Sequence, residues 1–356
     1  MKIKEIKIRN FRNIDNIDIF PDENMNIICG ENAQGKTNII EAIWFFTGAK
    51  SFRNYKDTVF VKFGEEKAKL EISFIFKGCE ENITIEIENN KRTAFLNNKK
   101  LSSPSLLAGN FGAVIFSPSD LSLIKDSPSV RRKFLDVSIG QLYPSFIEIL
   151  SSYTRAVIQR NKIIKDYKYD KTLSIMLDIF EKEIAENGIK IINYRKKYLD
   201  ILEKYVPDIY FGLSAGKEKI KTNYIINCDS EKIEEKLKIS RENDMLSGVT
   251  SVGPHRDDID FKINDISVRN FGSQGQQRSV ALALKLAGAE VSKEITGEYP
   301  ICLLDDVMSE LDPSRQNYIL NHIKEWQVFL SCCDPANINN LTKGKVFNIQ
   351  KGAIKI

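Results

Sequence analysis

The segment Gly-Glu-Asn-Ala-Gln-Gly-Lys-Thr at residues 30–37 constrains the fold of this chain more than any other feature. It matches the pattern G-x-x-x-x-G-K-[ST] of phosphate-binding loops. The apolar run at 25–29 precedes it, and apolar residues at helical spacing follow it over 36–47. A strand that leads through such a loop into a helix predicts an α/β nucleotide-binding domain.

Each residue type in this loop has a chemical reason. Glycines let backbone N–H groups turn toward phosphate, and the start of the following helix adds partial positive charge. The Lys36 ammonium suits the β and γ phosphates, and the Thr37 hydroxyl suits magnesium. We therefore expect ATP to be held by Gly30, Glu31, Asn32, Ala33, Gln34, Gly35, Lys36, Thr37 and Asn38.

A second apolar run, 301–304, ends in Asp305 and Asp306. Open α/β sheets bind their ligands at the carboxyl ends of their strands. We expect Asp305 to bind magnesium there with Thr37, directly or through water, because Mg²⁺ prefers oxygen ligands. Asp306 suits a base or an orienting group for the attacking water. The acidic pair is a weak signal alone, but with the upstream loop it predicts ATP and Mg²⁺ as cofactors.

Length and composition limit the remaining possibilities. A chain of 356 residues suits about two domains. The 52 basic residues are nearly balanced by 48 acidic ones, so a DNA-binding face must come from local clustering. No apolar run reaches the length of a membrane span, and the start reads as a strand, so we expect a cytoplasmic protein with no membrane partner. The six cysteines lack C-x-x-C spacing, which indicates buried free thiols.

The hydrophobic pattern changes twice along the chain. Residues 58–98 alternate as antiparallel strands. Over 129–205 the periodicity is helical, and Pro207 is expected to end it. The α/β pattern resumes near residue 248, with a hairpin expected over 258–271. These changes predict an ATPase domain formed by 1–125 and 246–356, with a helical lobe at 126–245 inserted into it.

Residues 273–278, Ser-Gln-Gly-Gln-Gln-Arg, open a predicted helix with the serine near its cap. This segment resembles the signature motif of ABC-type ATPases, and Ser309-Glu-Leu-Asp312 resembles their D-loop. Four further segments add to the pattern: 10–13 (Asn-Phe-Arg-Asn), 51–53 (Ser-Phe-Arg), 131–136 (Arg-Arg-Lys-Phe-Leu-Asp) and 253–258 (Gly-Pro-His-Arg-Asp-Asp). Over nearly its full length the chain resembles the RecF family, bacterial DNA repair ATPases related to the SMC proteins.

The resemblance implies an α/β fold: an ABC-type ATPase head of the P-loop NTPase class, with an antiparallel β subdomain and an inserted helical lobe. It implies a weak DNA-dependent ATPase. ATP at the P-loop of one copy would be covered by Ser273, Gly275 and Gln276 of a second, and Arg12 and Arg53 would reach phosphates. The resulting homodimer would clamp single-stranded, duplex or gapped DNA until slow hydrolysis releases it. The family also implies RecR and RecO as partners in recombinase loading at single-strand gaps, replication restart and SOS induction.

Two positions depart from the wider ABC class. Transport-type ATPases carry a histidine after the strand that follows the D-loop, whereas Cys332-Cys333-Asp334 follow that strand here. No Q-loop glutamine is evident after the strand at 114–116, and Ser117–Asp120 is the candidate segment. Both departures predict slow turnover.

Three other functions remain open on the sequence. A transporter ATPase is disfavoured by the missing histidine, and an SMC-type partner of a nuclease by the lack of a long heptad repeat. A binding module with a vestigial P-loop is disfavoured because Lys36, Thr37 and both aspartates are intact. Basic clusters that are candidates for DNA contact, or simply solvated helix faces, occur at 131–133, 160–168 and 195–197. His255 suits either a contact to nucleotide or DNA or a structural turn.

Overall fold

The computed structural model describes residues 1–53, 59–167, 171–334 and 344–355. They form two compact units, the first made of 1–120, 211–216 and 281–356, and the second of 121–210 and 217–280. Residues 246–280 thus belong to the second unit, although their sequence pattern places them with the C-terminal ATPase segment. The physical reason is strand pairing, because residues 220–225 and 258–263 form one antiparallel ladder.

A six-stranded antiparallel sheet in the first unit has the order β2-β1-β4-β5-β6-β7. Its strands are β1 (Lys2–Phe11), β2 (Ile14–Ile19), β4 (Lys67–Phe76), β5 (Cys79–Glu88), β6 (Lys91–Leu96) and β7 (Lys99–Lys100). Buried and partly exposed residues alternate along β4, as expected for a strand with one face on the core. This sheet confirms the antiparallel β subdomain.

The second sheet of the first unit has the order β15-β14-β3-β13-β12-β8 and is parallel except at β15. Its strands are β3 (Met25–Cys29), β8 (Ala113–Phe116), β12 (Ile301–Asp305), β13 (Val328–Cys332), β14 (Lys345–Gln350) and β15 (Ala353–Ile354). Every residue of β12 and β13 is buried, as is typical of parallel strands covered on both faces. Cys29 lies opposite Cys332, and Asp305 lies opposite Ser331, so three strands end at one edge of the sheet.

Helices α1 (Lys36–Phe45) and α10 (Pro313–His322) belong to the first unit. Apolar residues at helical spacing on α1 are buried, and α1 makes contacts with β1, β12 and β13. Helix α9 (Gln274–Thr296) contributes its first seven residues to the second unit and the rest to the first.

The second unit is mainly helical. Its helices are α2 (Ser122–Lys125), α3 (Pro128–Leu142), α4 (Pro144–Tyr167), α5 (Ser174–Leu213, except its last three residues), α6 (Ile233–Ile239), α7 (Arg241–Ser247) and α8 (Val268–Phe271). It also holds a three-stranded antiparallel sheet in the order β11-β10-β9, formed by β9 (Ile220–Ile225), β10 (Asp258–Ile263) and β11 (Ile266–Ser267). Short 3₁₀ segments of the two units are Pro104–Leu107, Pro118–Leu121, Lys171–Leu173, Ser230–Lys232, Pro254–Arg256 and Met308–Glu310.

Two local predictions are wrong. Pro207 lies inside α5 and does not end it. A proline removes one backbone hydrogen bond, but Val206 and Tyr210 beside it are fully buried, and their packing holds the helix. The hairpin expected over 258–271 is also shorter, because its second strand has only two residues and the chain then turns into α8.

Among the described helices, none has the length and apolarity needed to cross a bilayer. All six cysteines are free thiols, as expected. Four are buried, but Cys79 and Cys333 are exposed, which corrects the expectation that all are buried.

Candidate nucleotide-binding site

The predicted phosphate-binding loop connects the end of β3 to the start of α1. Gly30 and Gly35 both adopt positive φ, 154° and 111°. A Cβ on Gly30 would lie 2.4 Å from the backbone oxygen of Ile349, so only glycine fits there. The Lys36 ammonium donates to the carbonyl oxygens of Gly30 (2.7 Å) and Glu31 (3.0 Å). The loop therefore curls around a lysine that is only 4% exposed.

The start of α1 suits an anion. Gly35 is the N-cap residue, and no side chain of the described residues caps the helix there. The first amide groups of a helix lack partners within the helix, and the helix dipole adds partial positive charge. Together with the Lys36 ammonium, these groups fit a phosphate chain.

Two segments from opposite ends of the chain brace the loop. The Asn13 side chain, between β1 and β2, donates to the Ala33 oxygen (3.3 Å) and accepts from Asn38 (2.7 Å). In the turn between β14 and β15, the Lys351 amide donates to the Gln34 side chain (2.6 Å) and the Gly352 amide to the Gln34 carbonyl (3.0 Å). The loop shape is thus fixed by residues that are distant in sequence.

The acidic end of β12 lies beside the loop. The Thr37 hydroxyl donates to Asp305 Oδ1 at 2.9 Å, and the Ser331 hydroxyl donates to the same oxygen at 2.9 Å. Ser331 Oγ also accepts the Asp306 amide at 3.0 Å. Ser331 on β13 therefore aligns both acidic residues. Asp306 has a left-handed backbone (φ 51°), and its carbonyl accepts the Ser309 hydroxyl of the D-loop-like segment at 2.9 Å.

The electrostatics of these carboxylates suit a cation. Burial raises the pKa of the Asp305 carboxyl, the hydrogen bonds from Ser331 and Thr37 oppose this, and the Asp306 charge raises it further. Burial also raises the pKa of Asp306, while Lys36 lowers it. A divalent cation next to Thr37 and Asp305 would neutralise this desolvated charge. Among the described residues, no group of three or more His, Cys, Asp and Glu side chains could hold a metal ion, so phosphate and water would supply the other ligands.

The unusual cysteines at the end of β13 also lie at the loop. Cys333 Sγ is 3.6 Å from Lys36 Nζ and 3.2 Å from the Asn32 side-chain oxygen. Burial raises the pKa of the neighbouring Cys332 thiol to about 12, so that thiol is neutral at pH 7. A thiol therefore lies where transport-type ATPases have a histidine.

Arg12 lies at the side of α1. Its Nε is 2.6 Å from Glu41 Oε2, and its guanidinium lies 4.9 Å from the centre of the Phe60 ring. Arg53 donates to the Asn38 side chain at 3.2 Å. Of the two arginines predicted to reach phosphates, Arg53 thus contacts the N-terminal turn of α1, and Arg12 contacts Glu41 in its second turn.

The signature-like segment lies in the second unit, at the start of α9. The Gln276 amide donates to Ser273 Oγ (3.2 Å), and the Ser273 amide donates to the Gln276 side chain (2.8 Å). This reciprocal capping confirms that Ser273 caps the helix. The Gln276 side chain also donates to Glu218 (2.7 Å), which in turn accepts the Tyr210 hydroxyl (2.6 Å). Ser273 remains exposed and Gly275 is partly exposed, so the helix start is accessible to an anion from outside the chain.

Fold and site together define the class. A P-loop and an acidic strand end meet at the carboxyl edge of a parallel sheet, with an antiparallel sheet and a signature-type helix start on the same chain. These are the features of an ABC-type ATPase head.

Comparison with known proteins narrows this class. The family model described as RecF/RecN/SMC N terminal domain matches residues 2–354. The DNA replication and repair protein RecF of Clostridium acetobutylicum is 40% identical, with 99% of each chain covered, and that of Lachnospira eligens is 36% identical, also with 99% of each covered. The chain belongs to the RecF family.

Solved structures agree with this assignment. A structure of the recombination mediator protein RecF with ATP, of the RecFOR pathway, has a TM-score of 0.92 at 35% identity, covering 99% of this chain and 97% of that one. An Smc head domain from Pyrococcus furiosus has a TM-score of 0.56 at 17% identity, covering 99% and 95%, which supports the fold alone. The predicted ABC-type ATPase head is confirmed.

The basic clusters predicted as DNA contacts are only partly surface features. Arg131 pairs with Asp258 at 2.6 Å and Arg195 with Asp136 at 2.9 Å, and both arginines are buried. Arg160 is also fully buried, between Glu181 and Asp244. These three arginines cannot touch DNA, because each is held by carboxylates inside the second unit. Exposed lysines in the same clusters are Lys133, Lys162, Lys165, Lys196 and Lys197. Lys168 lies outside the described residues.

His255 has a structural role. Its Nε2 lies 3.0 Å from the Thr250 carbonyl, and its Nδ1 lies 2.6 Å from the Tyr153 hydroxyl. A carbonyl can only accept, so Nε2 carries the proton and Nδ1 accepts from Tyr153. Burial lowers the pKa of this imidazole to about 4, so the ring is neutral at pH 7.

This histidine predicts a pH-dependent stability. His255 binds a proton near pH 6.5 in the unfolded chain but only near pH 4 in the folded chain. The contribution of the neutral imidazole to the free energy of unfolding is therefore fully present above pH 6.5 and is lost as the pH falls toward 4. The loss amounts to roughly 3 kcal/mol at most. Urea unfolding of the wild type and H255Q at pH 7 and pH 5 measures it. A stability difference between the two proteins that does not change with pH would contradict the assignment.

Sequence reasoning missed three residues of this site. Ser331, Asn13 and Glu41 contact predicted site residues but received no role. Glu41 does carry a signal, because it is the one charged residue in the otherwise apolar run 39–46.

Proposed function

We propose that this protein is a DNA-binding ATPase of recombinational repair and replication restart, in which ATP joins two copies into a clamp on DNA. The observation that carries the proposal is the grouping of Lys36, Thr37 and Asp305 at the carboxyl edge of the parallel sheet. That grouping is intact in a chain of the RecF family, and the solved structures similar to this chain include one of RecF with ATP.

ATP binds with its phosphates on the loop 30–37 and on the amides that begin α1. Lys36 leaves the Gly30 and Glu31 carbonyls and meets the phosphate oxygens, which are stronger acceptors because they are charged. Thr37 and Asp305, the latter directly or through water, would hold Mg²⁺, and the ion would supply neutralisation of the phosphate charge.

The site is completed by a second copy. Ser273, Gly275 and the amides that begin α9 offer an exposed anion site, and the γ-phosphate of the partner is its ligand. Gln276 acts by shaping this helix start, since its side-chain amide already bonds Ser273 and Glu218. ATP thereby stabilises a homodimer, because it binds between two surfaces that each hold part of its site.

Hydrolysis separates the two copies. Asp306 orients the attacking water, and its raised pKa suits a group that accepts a proton. The thiol of Cys333 replaces the imidazole found in transport-type ATPases and is a weaker hydrogen-bonding group. We therefore expect a weak, DNA-dependent ATPase, in which slow hydrolysis keeps the dimer bound to DNA for longer.

The clamp acts at single-strand gaps in the cytoplasm, on single-stranded, duplex or gapped DNA. There it supports recombinase loading and SOS induction with partners of the RecR and RecO type. The support for these partners is the RecFOR pathway to which the solved RecF relatives belong.

DNA binding should strengthen with ATP and weaken with salt. We expect ATP to tighten binding about tenfold relative to ADP or no nucleotide, because two linked copies bind one DNA. Affinity should fall by at least roughly tenfold between about 50 and about 200 mM salt, because lysine contacts to phosphate release counterions. Fluorescence anisotropy on gapped, duplex and single-stranded DNA measures both effects. A salt-independent isotherm, or equal affinity with ATP and ADP, would contradict the clamp.

A further inference from the structure

A carboxylate is buried beneath the first turns of the helix that follows the P-loop. Glu41, on α1, is 0% exposed. The Ser51 hydroxyl donates to its Oε1 at 2.5 Å, and the Arg12 guanidinium lies 2.6 Å from its Oε2. The Arg53 guanidinium lies 4.0 Å from the same oxygen. One buried anion therefore faces two cations and one hydroxyl.

Both cations border the nucleotide site. Arg12 precedes Asn13, which bonds the Ala33 carbonyl of the loop. Arg53 donates to Asn38, two residues beyond Lys36, and its charge lowers the pKa of Asp305 against the effect of burial. The pair thus lies along the side of the loop and helix start where phosphate charge would be added.

A fully buried carboxylate costs desolvation energy that its ion pairs only partly recover, so stability alone is a weak reason for Glu41. Arginine side chains, in contrast, lose much rotational freedom when they bind phosphate, and this cost falls if they are already oriented. Ser51 fixes the carboxylate, and its Oγ also accepts the Arg53 amide at 3.1 Å. The carboxylate, the serine and the two arginines form one connected group.

We propose that Glu41 is a positioning residue, which holds the Arg12 and Arg53 guanidinium groups ready for the phosphates of the nucleotide. The inference rests on the proposed ATP site and adds to it the residue that orients the arginines. This role predicts the direction in which ATP affinity changes when Glu41 is removed. If Glu41 acted only as a nearby negative charge, its removal would tighten the binding of anionic ATP. If it positions the arginines, its removal weakens ATP binding.

The test compares E41Q with E181Q. Glu181 is an equally buried carboxylate that also binds two arginines, Arg160 and Arg241, but it belongs to the second unit, whereas the P-loop belongs to the first. Affinity for ATP is measured by calorimetry on the full-length chain, with melting temperatures for both variants. We expect E41Q to bind ATP about tenfold more weakly than wild type, and E181Q to bind it with wild-type affinity even where it lowers the melting temperature.

A double-mutant comparison separates positioning from general damage to the fold. In an R12A/R53A background, E41Q should cause no further loss of ATP affinity, because the groups that Glu41 orients are gone. Glu41→Asp serves as a second variant that keeps the charge but shortens its reach, and it too should weaken ATP binding.

Three results would overturn the role of Glu41: equal or tighter ATP binding by E41Q, the same loss of affinity in the R12A/R53A background, or wild-type affinity of Glu41→Asp if E41Q does not fold. The wild-type titration, run alongside, tests the ATP site itself. Absence of ATP binding by the wild type would therefore be recognised as a failure of the proposed function.

Discussion

Replacing Lys36 by methionine should remove ATP-dependent dimerisation and ATP hydrolysis together. The ammonium lies at the centre of the loop, 2.7 Å from the Gly30 oxygen, and we propose that it moves to the phosphates when ATP binds. Loss of a charge-assisted contact of this kind costs about 3 kcal/mol, or about a hundredfold in affinity. Methionine has a similar length, so the buried stem of the side chain is still filled and the fold should persist.

The measurement is ATP turnover with and without DNA, together with sedimentation velocity in ATP. Lys62→Met is a suitable control, because Lys62 belongs to the same unit and forms a surface ion pair with Asp15. The Lys62→Met variant should keep ATP turnover and dimerisation at wild-type levels. Unchanged ATPase activity in K36M would show that nucleotide is hydrolysed elsewhere.

Replacing Ser273 by arginine should leave ATP binding by the single chain intact but prevent dimers. Ser273 is exposed at the start of α9, so the arginine side chain is accommodated in the free chain and blocks only the approach of a partner's phosphate. Loss of the helix cap costs about 1 kcal/mol, which is too little to unfold the second unit. Ser273→Ala is a companion variant that loses the same cap and hydroxyl without adding bulk, so dimers that it retains would show how much of the S273R effect comes from the added bulk.

Mixing the two inactive variants tests the shared site directly. The S273R chain keeps its P-loop, and the K36M chain keeps its signature helix, so a mixed dimer contains one complete site. We expect ATP to produce dimers in the mixture that neither variant forms alone, measured by sedimentation with one variant fluorescently labelled. Dimers of S273R alone at wild-type affinity would contradict a site built from two copies.

The phosphate-binding loop and the acidic strand end were predictable because their information is local. An apolar strand, a glycine-bearing turn and a helix start are adjacent in sequence, and a parallel sheet then brings the ends of β3, β12 and β13 to one edge. The family resemblance, carried by the signature and D-loop segments, is confirmed, as is the ABC-type fold. The individual roles of the site residues stay predictions, for which the experiments above are designed.

The features that could not be predicted from the sequence depend on pairings between residues far apart in the chain. Arg131, Arg160 and Arg195 look like DNA contacts in sequence, because a basic side chain gives no sign of whether a carboxylate far along the chain will bury it. Their partners lie on other elements and become neighbours only in the folded second unit. The hydrogen bonds from Lys351 and Gly352 to Gln34 join residues that are more than three hundred positions apart in the chain. No local pattern contains such a contact.

The bracing of the P-loop by the turn between β14 and β15 has a consequence for biosynthesis. Strand β3 lies between β13 and β14, so both of its neighbours are translated long after it. While the second unit is being made, β3 has two unpaired edges, a state prone to association with other chains. We therefore expect the loop to reach its braced shape only once residue 352 has emerged from the ribosome, so that capture of ATP would follow the synthesis of nearly all of the described residues.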